Sequence, residues 1–291
     1  MITKHQEYQK LAKEIGVESL YFKREDTHPY GSHKGRSIPL MIDVYIKEGF
    51  SHFAISSSGN AALSAVIYIK EINSKNKNQI LLDVLVGRHI STKKLDKLRK
   101  YEDENISITM HDRPVQTLFT KTQDPNIKGL RQSNDDNALT GYESLAQELL
   151  KIPKLEAVFI GTSSGTTAQA LSEYFINNKH KIETHVVQTS SCHPIADNFV
   201  DNEIQDEQSI ADAIVDHTAI RKEPLTELII KTNGNAWIVS NEEIRTAQEI
   251  TKKYTDIDIS TNSALSVAGL MQAVYTSRTW KGSVACIICG D

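Results

Sequence analysis

Cysteine is scarce in this sequence. The 291 residues hold three, unevenly placed, which is too few for a disulfide framework. Two of them, Cys286 and Cys289, form a C-x-x-C inside VACIIC, which reads as a strand. Residues three apart on a strand point to opposite faces, so the pair suits neither zinc nor redox exchange, and a reducing cytoplasm is the expected setting. Long apolar runs are missing: none reaches transmembrane length, and the start, MITKHQEYQK, has no apolar signal core. Basic excess is missing as well. Lys and Arg number 33 against 37 Asp and Glu, a net charge of −4, which argues against a nucleic-acid footprint. The ten histidines show no H-x-x-x-H or similar spacing, so no metal site is expected. There are no repeats and no low-complexity linker. No glycine-rich turn is followed about twenty residues on by a strand-end acid, which disfavours a nicotinamide dehydrogenase.

What is present is alternation. Short apolar runs that read as strands are 52–56, 80–86, 106–110, 157–161, 185–189, 237–240 and 284–288. Segments of helical period lie between them. One follows Lys34, with Ile38, Met41, Ile42 and Tyr45 on one face. Others cover 60–73, 91–101 with Ser91 as cap, 141–151, 166–178, 241–253 with Asn241 as cap, and 263–276. Strands alternating with helices predict an α/β fold with mostly parallel sheets covered on both faces. Ligands in such sheets bind at the strand-to-helix turns beyond the carboxyl ends of the strands.

Three of those turns carry unusual chemistry. Ser57, Ser58, Gly59, Asn60 and Ala61 follow the first of the strands read here. They set hydroxyls, an amide and free N–H groups at a helix start, which suits a carboxylate or serves as a plain N-cap. Gly161, Thr162, Ser163, Ser164, Gly165, Thr166 and Thr167 follow another strand, and two glycines among five hydroxyl residues favour a phosphate over a mere cap. Cys289-Gly290 in CIICGD follows the last strand, either as a strand-end thiol or as a buried small hydrophobe. A fourth feature is Lys34 in YGSHKGR, placed at a helix entrance where the dipole opposes its charge. Position and burial there favour a neutral, nucleophilic amine. A lysine for a Schiff base, a phosphate cup, a ring-nitrogen partner and a carboxylate holder are the parts pyridoxal phosphate needs.

The order of these motifs resembles the fold type II pyridoxal-phosphate enzymes. Lys23, Glu25, Gly31, Ser32, Lys34 and Arg36 match a K-x-E…G-S-x-K-x-R segment. Residues 57–60, 161–167 and Cys289-Gly290 follow in the family's order, over nearly the whole chain. The branch is most similar to threonine synthase, through ISSSGNAALSAVIYIKE, NALTGYESLAQEL, SIADAI and NSALSVAGL. The resemblance implies two three-layer α/β/α domains with the cofactor in their cleft. The smaller is expected at 36–130, and the larger from 1–35 plus 131–291. It implies that Lys34 carries pyridoxal 5'-phosphate and removes the substrate α proton, and that Asn60 bonds the cofactor ring oxygen. Residues 57–61 would hold the substrate carboxylate, 161–167 the cofactor phosphate, and Cys289 would face the pyridine nitrogen. A neutral thiol is a weak donor, which suits elimination or replacement of a leaving group. The expected activity is conversion of phosphohomoserine to threonine plus phosphate by a homodimer that takes a small amino-acid substrate and binds neither nucleic acid nor membrane. Serine/threonine dehydratase, then cysteine-synthase-like replacement, are the alternatives, and an inactive cofactor-binding protein is a further class. The departures concern the substrate: Gly35 in place of Asp, His33 before the lysine, Ser163 and Ser164 in place of glycines, Cys289 in place of Thr or Ser, and SNDDNALTG without the arginine common in threonine synthases.

Overall fold

The computed structural model describes residues 1–200 and 208–290. Asp291, the end of CIICGD, lies outside them. The described residues form ten strands: β1 His5–Glu7, β2 Ser19–Arg24, β3 His52–Ser56, β4 Leu81–Gly87, β5 Ile106–His111, β6 Ile127–Gly129, β7 Leu155–Gly161, β8 Glu183–Thr189, β9 Asn235–Val239 and β10 Ser283–Ile288. All seven sequence-read runs are strands. β1, β2 and β6 were not anticipated. β1 and β6 have three residues each, too few to show a period, while β2 alternates Leu20 and Phe22, both fully buried, and its last two residues, Lys23 and Arg24, open the segment read for its lysine motif.

The chain divides into two compact units, one of Met1–His28 with Tyr142–Asp291 and one of Pro29–Gly141, where the sequence pattern placed the divisions near 36 and 130. The first unit holds a six-stranded sheet of order β1-β2-β10-β7-β8-β9. Only β1 runs antiparallel. Ala157, Val158, Phe159 and Ile160 of β7 are all buried although successive side chains face opposite ways, so both faces of this sheet are covered, as a parallel sheet requires. One face packs Phe22, Phe159, Val187, Trp237 and Cys286 against Leu11, Ile244, Leu265 and Leu270.

The second unit holds four parallel strands in the order β5-β4-β3-β6. Phe53, Ile55, Val84 and Ile108 meet Met41, Ile42, Leu63 and Val66 from the helices Ile38–Lys47 and Asn60–Lys75. The face predicted after Lys34 is thus a core face, with Ile38, Met41 and Ile42 fully buried. A smaller cluster of Ala54, Leu85 and Leu118 forms with Ile127, and Leu118 comes from the helix Pro114–Lys121.

Two details of the helices differ from expectation. Ser240 caps the helix Asn241–Thr255 in a reciprocal box with Glu243. The Asn241 amide instead accepts from Ile210 N at 2.8 Å and donates to Gln208 O at 2.9 Å. The expected helix at 141–151 is found as Glu143–Leu149, and a separate short helix that was not expected, Asn137–Thr140, precedes it. A Cβ on Gly141 would lie 2.4 Å from the Ser37 Cα, so only glycine allows the chain that close. Ser91 caps Thr92–Arg99 as predicted.

Candidate active site

Lys34 lies in a single 3-10 turn, His33–Arg36, rather than inside the α-helix, which begins at Ile38 with proline in its first turn. Proline lacks an N–H and restricts the residue before it, so the α-helix is reset there. Ser32 is fully buried, and its hydroxyl accepts from Lys34 N at 3.2 Å. That bond fixes the backbone of the lysine. Ser64 donates to Tyr30 O at 3.0 Å, tying the turn to the helix Asn60–Lys75. Lys34 is half-buried, and no carboxylate among the described residues pairs with its amine.

The turn at 57–61 belongs to the same unit. It leaves β3 at Ser56 and enters the helix at Asn60, with Gly59 as N-cap. The capping alternative does not hold, because no side chain bonds the helix entrance. The Ser57 hydroxyl accepts from Gly59 N at 3.3 Å, within the turn. First-turn N–H groups of a helix have no intrahelical partner, so this entrance can take an anion. Nothing lies within 4 Å of where a Cβ on Gly59 would sit.

Residues 161–167 belong to the other unit. β7 ends at Gly161, and the helix Thr166–Asn177 starts after Gly165, whose φ is 86°. The Thr162 hydroxyl accepts from Gly165 N at 3.0 Å and closes the loop. Ser163 Oγ accepts from Val215 N and Asp216 N, each at 3.0 Å, so it anchors that segment. Ser164 Oγ and Thr166 Oγ1 share a hydrogen bond of 3.0 Å. No side chain caps the helix Thr166–Asn177, and Thr166 and Thr167 are buried. Its first turn therefore presents N–H groups and hydroxyls that suit a phosphate.

Cys289 stands just past β10, which pairs directly with β7 in the register Cys286↔Phe159. Its thiol lies 3.8 Å from Ser263 Oγ and 3.7 Å from Gly290 O. Ser263 Oγ also accepts from Gly290 N at 3.2 Å, and Ser260 donates to Gly290 O at 3.0 Å. All three cysteines are free. Cys286 faces the core, donates to Ser266 O at 3.4 Å, and has its thiol pushed up in pKa by burial.

Two further residues were given no role by sequence reasoning. Ser263 holds the Cys289-Gly290 turn. Gln188 donates to the carbonyls of Thr162 and Ser163 at 3.4 and 3.3 Å and accepts from Ile195 N and Ala196 N at 2.9 and 3.0 Å, so it supports the loop from behind. Ser32, which the sequence motif names without a role, is the N-cap of the turn that carries Lys34. Other candidates resolve differently. Arg88 pairs with Asp112 in an exposed ion pair, and Tyr142 is a fully buried core residue. Asp135 accepts from the Tyr45 hydroxyl and from Asn137 N. Burial, then that carboxylate, pushes the Tyr45 phenol up to about 12.

Comparison with known proteins bears on the class. The pattern of the family described as "Pyridoxal-phosphate dependent enzyme" matches residues 2–290. A threonine synthase of Bacillus sp. (strain ULM1) is 24% identical over 289 residues, covering 97% of this chain and 80% of the relative. A threonine synthase of Methanosarcina acetivorans is 23% identical over 298 residues, covering 97% and 72%. Among solved structures, a pyridoxal 5'-phosphate-dependent aspartate racemase superposes with a TM-score of 0.82 at 19% identity, over 100% of this chain and 90% of that one. Threonine deaminase isoform 2 from Solanum lycopersicum gives 0.79 at 18%, over 99% and 78%. At these identities the structural likeness establishes the fold.

Proposed function

Since the chain belongs to the pyridoxal-phosphate-dependent enzymes, we propose that it is a lyase of the threonine synthase type, acting on a small amino acid with a leaving group beyond Cα. The residues present fit the cofactor. Lys34 offers an amine with no carboxylate partner, and the 161–167 loop ends on an uncapped helix entrance behind a left-handed glycine. Lys34 would hold the cofactor covalently at its aldehyde carbon. Ser164, Thr166 and Thr167 would hold its phosphate, with Gly161, Thr162, Ser163 and Gly165 shaping the loop. Asn60 would bond its ring oxygen, and Cys289, set by Ser263, would face its ring nitrogen. The chemistry supplied on binding is an electron sink for charge developing at the substrate Cα. Ser57, Ser58, Gly59, Asn60 and Ala61 orient the substrate through its carboxylate. The Lys34 amine takes the proton from Cα and returns it to the product.

The observation that carries the threonine-synthase reading is the agreement of the curated relatives, which bear that name across 97% of this chain. A second reading is serine/threonine dehydratase. It is favoured by Cys289, by the missing arginine in SNDDNALTG, and by the threonine deaminase among the structural neighbours. Incubation with O-phosphohomoserine, serine, threonine and O-acetylserine separates the readings. Threonine with free phosphate selects the first, and keto acid with ammonia selects the second. Borohydride trapping tests the class: the parent should retain cofactor and Lys34→Ala should not. Equal labelling of both, or of neither, would overturn it.

A further inference from the structure

The Pro29–Gly141 unit carries a groove of about 930 Å³ that none of the chemistry above uses. It runs between the helix Pro114–Lys121 and β6, the edge strand of its sheet. Leu118 turns inward to the small cluster beneath. Val115 and Phe119, four apart on the same helix, are 56% and 68% exposed. Residues four apart share a helix face, so this short helix is apolar on its outer side as well. Val115 and Phe119 line the groove together with Phe50, Pro114 and Ile127, and exposed apolar surface gathered at a concavity is what a binding groove offers. The groove's charge is one-sided. Arg113, Lys128 and Arg131 line it against a single acid, Asp124, on a chain whose net charge is −4. Neither arginine has an ion pair among the described residues. Asp124 already accepts from Asn126 N and Nδ2, both at 2.9 Å. The Lys128 amine is held 3.9 Å over the Tyr45 ring. The volume lies in the range of small-molecule sites, which are mostly apolar with a few placed polar groups.

We propose that this groove is a binding site for a small amphipathic anion: a molecule with an aromatic or branched aliphatic body over Phe119 and Val115, and a carboxylate held by Arg113 and Arg131. This does not depend on the reaction catalysed. The test uses the full chain with two fluorescent probes of nearly the same apolar shape, 8-anilinonaphthalene-1-sulfonate and the uncharged N-phenyl-1-naphthylamine. The anion should bind saturably at one site, about fivefold or more tighter than the neutral probe, as a pair of exposed charges permits. Phe119→Ser should weaken both probes by about tenfold. Arg113→Gln with Arg131→Gln should abolish the preference for the anion and leave the neutral probe unchanged. Tyr275→Ser, at an exposed aromatic of the other unit, should affect neither. 3-Phenylpropionate should displace the bound anion, and 3-phenylpropanamide should not. Circular dichroism checks that each variant is folded, which the exposure of residue 119 favours. Absence of saturable binding, equal affinity for the two probes, or binding indifferent to Phe119→Ser and to the arginine pair would each overturn the proposal.

Discussion

Replacing Gly165 by alanine tests both the architecture of the loop and its role. The backbone there has φ of 86°, where an L side chain costs about 1–2 kcal/mol. The new methyl would lie 2.6 Å from Leu225 Cδ2 and 3.2 Å from Ile195 Cδ1. Both neighbours are fully buried, so they cannot swing into solvent, and overpacking of this kind adds about 1–3 kcal/mol. Together these give a loss of about 2–5 kcal/mol, or about 5–15 °C in Tm at the scale of a domain this large. Thermal unfolding followed by circular dichroism reads that loss. The second measurement is pyridoxal phosphate affinity on the folded fraction. The Thr162 hydroxyl accepts from Gly165 N at 3.0 Å, and displacing that bond misaligns the helix entrance, so affinity should fall at least about tenfold, or 1.4 kcal/mol. A Tm within about 1 °C of the parent would refute the packing argument. A large loss of Tm with unchanged cofactor affinity would refute the assignment of the phosphate to this loop.

Gly59→Ala is the counterpart, because its methyl would meet nothing within 4 Å. Stability should stay within about 0.5 kcal/mol, while KM for the amino-acid substrate rises, and an unchanged KM would count against the 57–61 turn as carboxylate holder. Lys23 is fully buried among Glu25 at 3.9 Å, Glu148 and Thr3 O at 2.7 Å. Lys23→Met removes the buried cation that Glu25 and Glu148 share and should cost about 3–5 kcal/mol in denaturant unfolding, with Glu148→Gln as a milder companion. His185 is buried, stacked on Phe159 at 4.3 Å and bonded to Glu183 at 2.9 Å. Burial holds its pKa below the ordinary 6.5, and Glu183 opposes that only in part. The unfolded chain therefore takes up a proton first as pH falls through 6.5, and stability should decline below that pH. In His185→Gln the slope of Tm between pH 7 and 5 should be smaller, and an unaltered slope would exclude this histidine as its source.

Seven of the ten described strands and the positions of the three chemical turns were legible because their signals are local. An apolar run bounded by Gly, Ser or Thr marks a buried strand and its turn wherever it occurs. β6 was not legible, since its three residues, IKG, are a strand only through pairing with His52 to Ala54. The helix Pro114–Lys121 was missed although it opens on proline, because Val115 and Phe119 face outward and blur the apolar period. Ser263 and Gln188 were invisible for another reason. Each acts on a partner about 25 residues away, and no periodicity encodes such a contact. The position of Asn60 could be read, but the lack of a side-chain cap at its helix could not. Serine and asparagine are what a cap is made of, and only the folded chain shows them left unused for it.

One consequence of the strand order concerns biosynthesis. β10 lies between β2 and β7 and bonds to both, yet it is the last of the described strands to leave the ribosome. Until residues 283–288 emerge, β2 and β7 each expose a raw edge of unpaired backbone groups, the kind that recruits foreign strands. The Pro29–Gly141 segment, continuous in sequence and closed on its own four strands, has no such wait. Its nascent chain can settle while its sister sheet is still open, and that interval is when this polypeptide has most need of a chaperone.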